Sequence, residues 1–131
     1  MVPSSRRGRG FRLPRARRIT RGIEIGSLFR RGKRSKTASL DVFDSASPAS
    51  FSRIGWVVPL HRHNTVERNR LRRRLREIAR LELLPRLDER GLAQDVLLRA
   101  RREAYDVDFA GLREELVKWL ELRWPLAPRS A

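Results

Sequence analysis

The stretch RNRLRRRLRE at residues 68–77 constrains the fold of this 131-residue chain more than any other segment. On a helix, with about 100° per residue, Leu71, Leu75 and Ile78 form one apolar stripe with Ala79 at its edge. Polar side chains spread over the opposite side: Asn69, Arg72, Arg73, Arg76 and Arg80. The pattern therefore predicts a helix that packs one face on a protein core and offers the other face to a polyanion.

The same arginines have a simpler explanation, since an ordinary charge run is more often a face that contacts only water. Residues 68–80, however, contain seven arginines and a single acid, Glu77, so ion pairs one turn apart cannot neutralise the face. Like charges at that spacing destabilise an isolated helix, whereas the phosphates of a nucleic acid would relieve the repulsion. The deficit of acids favours RNA binding over simple solvation.

The positive charge is concentrated in the first part of the chain. Residues 1–80 hold 22 Lys and Arg against 5 Asp and Glu, whereas residues 81–131 hold 9 against 10, which gives a net charge of +16. Of the 31 basic residues, 28 are arginine; arginine suits phosphates and stacked bases, although a high-GC genome would give the same bias. There is no cysteine, and no apolar run reaches the roughly 20 residues that span a bilayer. These features favour a nucleic-acid partner and predict neither a disulfide nor a membrane span.

Protein-based catalysis is poorly supported by the residue pattern. His61 and His63 could offer two imidazoles to a metal, but no carboxylate partner lies nearby in sequence, so a polar loop or a phosphate contact is favoured. The acids are scattered and form no acid–base pair, and Gly8-Arg9-Gly10 lacks the third glycine of a dinucleotide loop. We therefore expect no catalytic residue, no metal site and no tightly bound cofactor in the protein.

Hydrophobic periodicity predicts a helix and two strands before the arginine-rich helix. The first helix covers residues 20–31, with Gly32 as its C-cap. Apolar residues alternate over residues 38–43, and a second strand runs over residues 54–58 until Pro59 removes a ladder donor. Because a short loop joins the two strands, we expect them to form an antiparallel pair.

Two further elements follow the arginine-rich helix, which is expected to reach about Leu83 and to be stopped by Pro85. The continuous apolar run within residues 95–101 predicts a buried strand, parallel to the preceding strand because a helix joins the two. A helix with an apolar stripe closes the chain. Both later helices have candidate N-caps: Asn64 or Thr65, and Asp106 or Asp108.

These elements predict an α/β (α+β) fold, a two-layer sandwich with a small mixed sheet and the order α-β-β-α-β-α. We expect a disordered basic arm over residues 1–18, an RNA-binding domain over residues 19–124 and a tail over residues 125–131. An apolar set could shield or stack unpaired bases or simply belong to the core: Ile25, Phe29 and Phe43.

Three parts of the sequence resemble one known family. They are RNR at residues 68–70 with the basic residues that follow, RGKR at residues 31–34 and DVLLRAR at residues 95–101. Their order and spacing are similar to those of the protein component of bacterial ribonuclease P over residues 18–122. The resemblance implies a small cytoplasmic α/β protein that binds a large catalytic RNA and helps it remove the 5′ leader from precursor tRNA. It also implies a left-handed β-α-β crossover, against the usual right-handed rule.

The resemblance also implies partners and roles. The RNA subunit would perform the hydrolysis with bound magnesium, the protein would be its cofactor, and neither a membrane nor DNA would be a partner. Contacts with the RNA subunit are implied for Arg68, Asn69, Arg70, Arg72, Arg73 and Arg76. A cleft for the single-stranded leader of precursor tRNA is implied for Ile25, Phe29 and Phe43. Additional RNA contacts are expected from Arg31, Lys33, Arg34 and Arg62.

The sequence departs from the family in two places. Residues 59–64 read PLHRHN where most relatives have a Ser-Lys-Lys-x-Gly-Asn-like segment, which leaves Arg62 and the histidines as substitutes for the lysines. Ile25 stands where an aromatic residue is usual and Phe43 where tyrosine is common, which predicts weaker stacking in the cleft.

A different class of function, a ribosomal or other ribonucleoprotein assembly protein, stays open as the alternative, ahead of a DNA binder or a metal-dependent nuclease.

Overall fold

A four-stranded sheet forms the centre of the protein, which the computed structural model describes over residues 13–126. The strands are β1 (Lys33–Lys36), β2 (Leu40–Ala46), β3 (Arg53–Val57) and β4 (Gln94–Ala100). They lie in the order β1-β2-β4-β3, and every neighbouring pair is antiparallel except β3 with β4. The predicted α/β class with a small mixed sheet is therefore confirmed.

Helices cover both faces of the sheet. Helix α1 (Gly22–Arg31) packs on one face, and α2 (Thr65–Ile78) and α4 (Phe109–Arg123) pack on the other. Helix α3 (Leu84–Glu89) continues α2 after a π-helical segment. Short 3-10 helices lie at Arg15–Arg17 and Arg102–Asp106.

The predicted antiparallel pairing of the two strands before the arginine-rich helix is wrong. These strands are β2 and β3, and β4 lies between them, antiparallel to β2 and parallel to β3. The reason is burial, because Val96 and Leu98 face the larger core while Leu97 faces α1, so β4 is apolar on both sides and occupies the centre. The parallel pairing of β3 with β4 across a helical connection is confirmed, and the left-handed sense of that crossover stays a prediction.

Strand β1 was not predicted, because its sequence KRSK contains no apolar residue. Its position depends on the hairpin that joins it to β2, in which the Thr37 N–H donates to Leu40 O at 2.8 Å. The hydroxyls of Thr37 and Ser39 both donate to the carboxylate of Glu115 on α4. Contacts from a distant helix therefore hold a strand that local periodicity does not reveal.

The arginine-rich helix does not stop at Pro85, contrary to the prediction. A π-helical segment, Ala79–Leu83, follows α2, and Pro85 lies in the first turn of α3. Proline is tolerated in a first helical turn, and the wider π turn before it interrupts the regular α-helical ladder. The helical run ends near Gly91, whose φ of +68° provides a left-handed end.

The domain begins earlier than predicted. Leu13 is buried in the larger core, and Arg17 forms two hydrogen bonds with Asp88, of 2.8 and 2.6 Å. Arg18 forms a bridge with Ile54 on β3. Residues 13–18 therefore belong to the fold rather than to a disordered arm, because they make tertiary contacts that composition cannot show. The rest of the predicted arm, residues 1–12, and most of the predicted tail, residues 127–131, lie outside the described residues.

The residues predicted to cap the helices do so, but Gly32 ends its helix for a reason other than the predicted one. Asn64 caps α2, and Asp108 caps α4 by accepting a hydrogen bond from the Gly111 N–H at 2.8 Å. The Gly32 N–H donates to Leu28 O at 2.9 Å and ends α1 with a φ of −69°, which is not left-handed. A Cβ at this position would lie 2.7 Å from the same oxygen. Close approach, rather than backbone conformation, requires the glycine.

Two apolar cores lie on the two faces of the sheet. The larger core, under α2, α3 and α4, contains the predicted stripe of Leu71, Leu75 and Ile78, all fully buried. The smaller core lies under α1 and consists of Ile19, Leu28, Phe43 and Leu97. Among residues 13–126, one α-helix covers the second face, which also carries charged residues of three strands: Arg34, Asp41 and Arg99.

Candidate nucleic-acid interface

The exposed side of α2 carries the arginines that the sequence places there. Asn64 and Glu67 form a reciprocal capping box, with the Glu67 N–H donating to Asn64 Oδ1 at 2.8 Å and the Asn64 N–H donating to Glu67 Oε1 at 3.0 Å. This box fixes the first turn, so the RNR segment begins directly after it. Four residues of the predicted polar face are exposed: Asn69, Arg72, Arg73 and Arg76. The fifth, Arg80, is half-buried, and Arg70 is exposed as well.

The acids of this helix are occupied at its two ends. The backbone hydrogen bond from Asn64 lowers the pKa of Glu67, with a smaller contribution from the side chain of His63. Glu77 pairs with Arg80 and lies 3.8 Å from Arg76. Within residues 13–126, the side chains of three arginines between these acids make neither a hydrogen bond nor an ion pair: Arg70, Arg72 and Arg73. The middle of the helix is therefore an uncompensated cationic surface.

Arg68 differs from its neighbours because it is half-buried. Its Nε donates to Val58 O at 2.7 Å, just beyond the end of β3. This bond ties the first turn of α2 to the sheet and leaves the other N–H groups of the guanidinium for a ligand. Arg68 therefore has a structural contact in addition to the RNA contact that the family resemblance implies.

The apolar set forms one cluster against the sheet. Phe29 and Phe43 meet edge to face, with ring centres 5.0 Å apart and an interplanar angle of 84°. Phe43 is 4% exposed, whereas Ile25 and Phe29 are half-buried at the border of the smaller core. We call these three residues the α1 cluster. The structure brings all three together, but Phe43 is mostly core and only the other two present surface.

A groove of about 340 Å³ lies between α1 and the arginine-rich helix. Ile25 on α1 and Arg72 on α2 both line it, and the edge strand β3 contributes Gly55 and Trp56. Arg18 lies over the Trp56 ring at 5.2 Å. The groove therefore contains one residue from each of the two surfaces that the sequence suggested separately, and Arg18 and Trp56 are lining residues that sequence reasoning missed.

A buried aspartate and an arginine beside the α1 cluster were also missed. Arg99 on β4 lies over both the Phe29 and Phe43 rings, and Asp41 on β2 is directly opposite it in the sheet. Burial by itself would raise the pKa of Asp41, but the hydrogen bonds from Arg99 and Arg101 and the charge of Arg34 hold that pKa below its ordinary value. The sequence feature that could have indicated this pair is Arg99 itself, an arginine inside the otherwise apolar run of β4.

The four residues expected to add RNA contacts are all exposed, but they do not form one patch. Arg31 ends α1, and Lys33 and Arg34 lie on the neighbouring edge strand β1, where Arg34 approaches the Phe43 ring at 5.8 Å. Arg62 lies apart from these, in the loop before α2, with a left-handed φ of 70°.

The loop that departs from the family pattern is fixed by Tyr105. The Tyr105 hydroxyl donates to Pro59 O at 2.7 Å, and the His63 ring stacks on the Tyr105 ring with centres 3.8 Å apart. His63 Nδ1 also lies 3.2 Å from a carboxylate oxygen of Glu67. The loop therefore has specific support from a side chain near α4 that its own sequence does not predict.

No group of three His, Asp or Glu side chains in residues 13–126 could hold a metal ion. No helix in the same range is long and apolar enough to cross a bilayer.

Comparison with known proteins gives one family. The Ribonuclease P family profile matches residues 13–122. The ribonuclease P protein component of Desulfovibrio desulfuricans is 33% identical over 116 residues, which are 86% of this chain and 86% of that protein. The structure of the Staphylococcus aureus RNase P protein matches with a TM-score of 0.71 and 22% identity, covering 84% of this chain and 97% of that chain. The Thermotoga maritima RNase P protein matches with a TM-score of 0.68 and 25% identity, covering 80% and 96%. The chain therefore belongs to the ribonuclease P protein family, whose known role is the maturation of tRNA 5′ ends.

Proposed function

We propose that this protein is the RNA-binding subunit of a ribonuclease P in which the RNA subunit cuts the 5′ leader from precursor tRNA. Magnesium held by that RNA would supply the chemistry of hydrolysis, and the protein would contribute binding surfaces in the cytoplasm. The observation that carries the proposal is one groove lined from both surfaces, by Arg72 of the arginine face of α2 and by Ile25 of the α1 cluster. Neither DNA nor a membrane is a proposed partner.

The arginine face of α2 is the proposed contact with the RNA subunit. Three arginines of this face, Arg70, Arg72 and Arg73, make no ion pair within residues 13–126, so they can neutralise phosphates without first breaking one. The planar guanidinium groups can bind phosphates in a bidentate manner. The residues assigned to this contact are Arg68, Asn69, Arg70, Arg72, Arg73 and Arg76.

The α1 cluster is the proposed contact with the single-stranded leader. Half-buried apolar side chains offer a surface on which unpaired bases can stack, and such contacts tolerate different sequences. Ile25 and Arg72 line one groove, so a leader lying there would pass close to the RNA bound on α2. Arg31, Lys33, Arg34 and Arg62 are proposed as additional RNA contacts at the periphery.

The test is cleavage of a 5′-extended precursor tRNA by the cognate ribonuclease P RNA at low magnesium, with and without this protein. We expect stimulation with correct 5′ ends, because added positive charge replaces part of the counterion requirement of the RNA. A folded protein that binds the RNA but gives no stimulation would contradict the proposal and favour a role in ribonucleoprotein assembly.

A further inference from the structure

Arg99 is held at three points and is still partly open to solvent. Its guanidinium carbon lies 5.1 Å from the centre of the Phe29 ring and 5.2 Å from the centre of the Phe43 ring. Its Nη2 donates to Asp41 Oδ2 at 3.0 Å. The side chain is 34% exposed. Two ring contacts and one ion pair thus fix the guanidinium in place, while one side of it faces the exterior.

The charge around Asp41 is not balanced. This carboxylate, whose side chain is 4% exposed, lies 3.0 Å from Arg99, 3.0 Å from Arg101 and 3.5 Å from Arg34. One carboxylate can neutralise one of the three cations, so these four side chains together carry a net charge of about +2. A bound anion would relieve this excess.

The three arginines do not have the same freedom. Arg101 also donates to the backbone oxygens of Thr37, Ala38 and Leu40, so its N–H groups are largely committed to the hairpin. For the Arg99 side chain, Asp41 is the one hydrogen-bond partner within residues 13–126. The guanidinium of Arg99 therefore retains N–H groups that can donate to a ligand.

We propose that Arg99 binds a backbone phosphate of the 5′ leader and thereby raises the affinity of the holoenzyme for precursor tRNA over mature tRNA. The inference rests on the proposed function, because it takes the α1 cluster as the leader site. Phe29 and Phe43 pack against the guanidinium, and Asp41 accepts a hydrogen bond from it. A phosphate contact carries no base information, so the contribution of Arg99 is independent of leader sequence.

The chain contains a matched control on the opposite face of the sheet. Arg123 on α4 also pairs with a buried aspartate of β2, Asp44, at 3.0 Å, and it also lies over an aromatic ring, that of Trp124, at 4.8 Å. This pair has the same chemistry but lies away from the α1 cluster. Because Asp44 would be left buried without its cation, the control is the double variant Arg123→Met with Asp44→Asn.

The experiment compares Arg99→Met with this control in the assembled holoenzyme. Dissociation constants for precursor and mature tRNA are measured over a range of salt concentrations. We expect Arg99→Met to weaken precursor binding about tenfold, the effect of one charged hydrogen bond, and to leave mature tRNA binding unchanged. The dependence of log affinity on log salt should become less steep by about 0.7, the value for one single-strand phosphate. The control variant should change none of these quantities.

Three results would overturn the inference. They are an unchanged precursor affinity, an equal loss for precursor and mature tRNA, and a loss that varies with the base sequence of leaders of equal length. Failure of the proposed function is a separate observation, because the wild-type protein would then give no stimulation of cleavage. If wild type stimulates and Arg99→Met binds precursor normally, only the role of Arg99 is lost.

Two more substitutions keep the test decisive. Arg99→Gln retains an N–H that can donate to Asp41, so it replaces Arg99→Met if the methionine variant does not fold, with the same expected losses. Arg99→Lys keeps the charge but not the planar group, so its salt dependence should equal that of wild type. A salt dependence reduced as far in Arg99→Lys as in the neutral variants would contradict a phosphate contact.

Discussion

The two faces of the sheet carry the same chemical pair in different surroundings. On the α4 face, Asp44 binds one arginine, Arg123, and on the α1 face, Asp41 binds three, including Arg99. In each pair the arginine lies over an aromatic ring. The first pair is balanced and joins α4 to the sheet, whereas the second has more cations than its carboxylate can neutralise. The difference separates a charge pair that stabilises the fold from a cluster with charge available to a ligand.

This comparison predicts different stability losses for two similar substitutions. Arg123→Met leaves Asp44 buried without a cation and should lower the free energy of unfolding by about 2 kcal/mol, less than for a fully buried pair because Arg123 is 30% exposed. Arg99→Met should cost below about 1 kcal/mol, because Arg34 and Arg101 still compensate Asp41. Urea unfolding at neutral pH measures both values. Equal losses would remove the distinction between the two faces.

A second prediction compares an arginine without an ion pair and an arginine in an ion pair for their contributions to RNA binding. Arg73 on α2 makes no ion pair within residues 13–126, whereas the exposed Arg113 on α4 donates to Glu82 at 2.7 Å. Arg73→Gln should reduce the salt dependence of binding to the RNA subunit by about 0.9 in log–log slope, and Arg113→Gln should leave it unchanged. The measurement is a filter-binding titration across salt concentrations. A similar change in both variants would mean that net charge, rather than the α2 face, determines affinity.

The smallest expected effect is a pH dependence of stability that comes from Asp41. Because the pKa of Asp41 is lowered in the folded state, its ionised form stabilises the protein above the ordinary value of 3.8. This stabilisation is lost as the pH falls below 3.8 towards the lowered value. Wild type should therefore be more stable than Asp41→Asn at neutral pH, and the difference should shrink on acidification. Urea unfolding of both proteins as a function of pH tests this, and a difference that grows at acid pH would contradict it.

The helix that carries the cationic face could be predicted almost completely from the sequence. Its apolar stripe, its exposed arginines and its N-cap depend on residues within a few turns, so local periodicity and capping chemistry are sufficient. The predicted end of the helix was wrong because a π-helical segment precedes Pro85 and lets the helical run continue. The residues on either side of this junction, Leu83 and Leu84, are buried in the larger core.

Features that depend on contacts between distant parts of the chain could not be predicted from local sequence patterns. The strand order follows from burying β4 on both faces, and β1 depends on a hairpin held by Glu115 from α4. The candidate site shows the same limit. Phe29 and Phe43 were identified by residue type, but Arg99 and Asp41 become recognisable only after the sheet places them opposite each other. The residue types of the two surfaces could thus be predicted from the sequence, whereas their arrangement depends on which strands pair in the folded sheet.

The two edges of the sheet affect how readily the RNA-free protein aggregates. An unpaired strand edge can recruit the edge of another chain and begin aggregation. At β3, the backbone around Arg18 and Ile19 covers part of the edge, with the Ile19 N–H donating to Ile54 O at 2.9 Å. At β1, three of the four residues, Lys33, Arg34 and Lys36, are cationic, so two chains brought edge to edge would repel each other. Positive charge that attracts RNA therefore also keeps RNA-free copies of the protein from joining strand to strand.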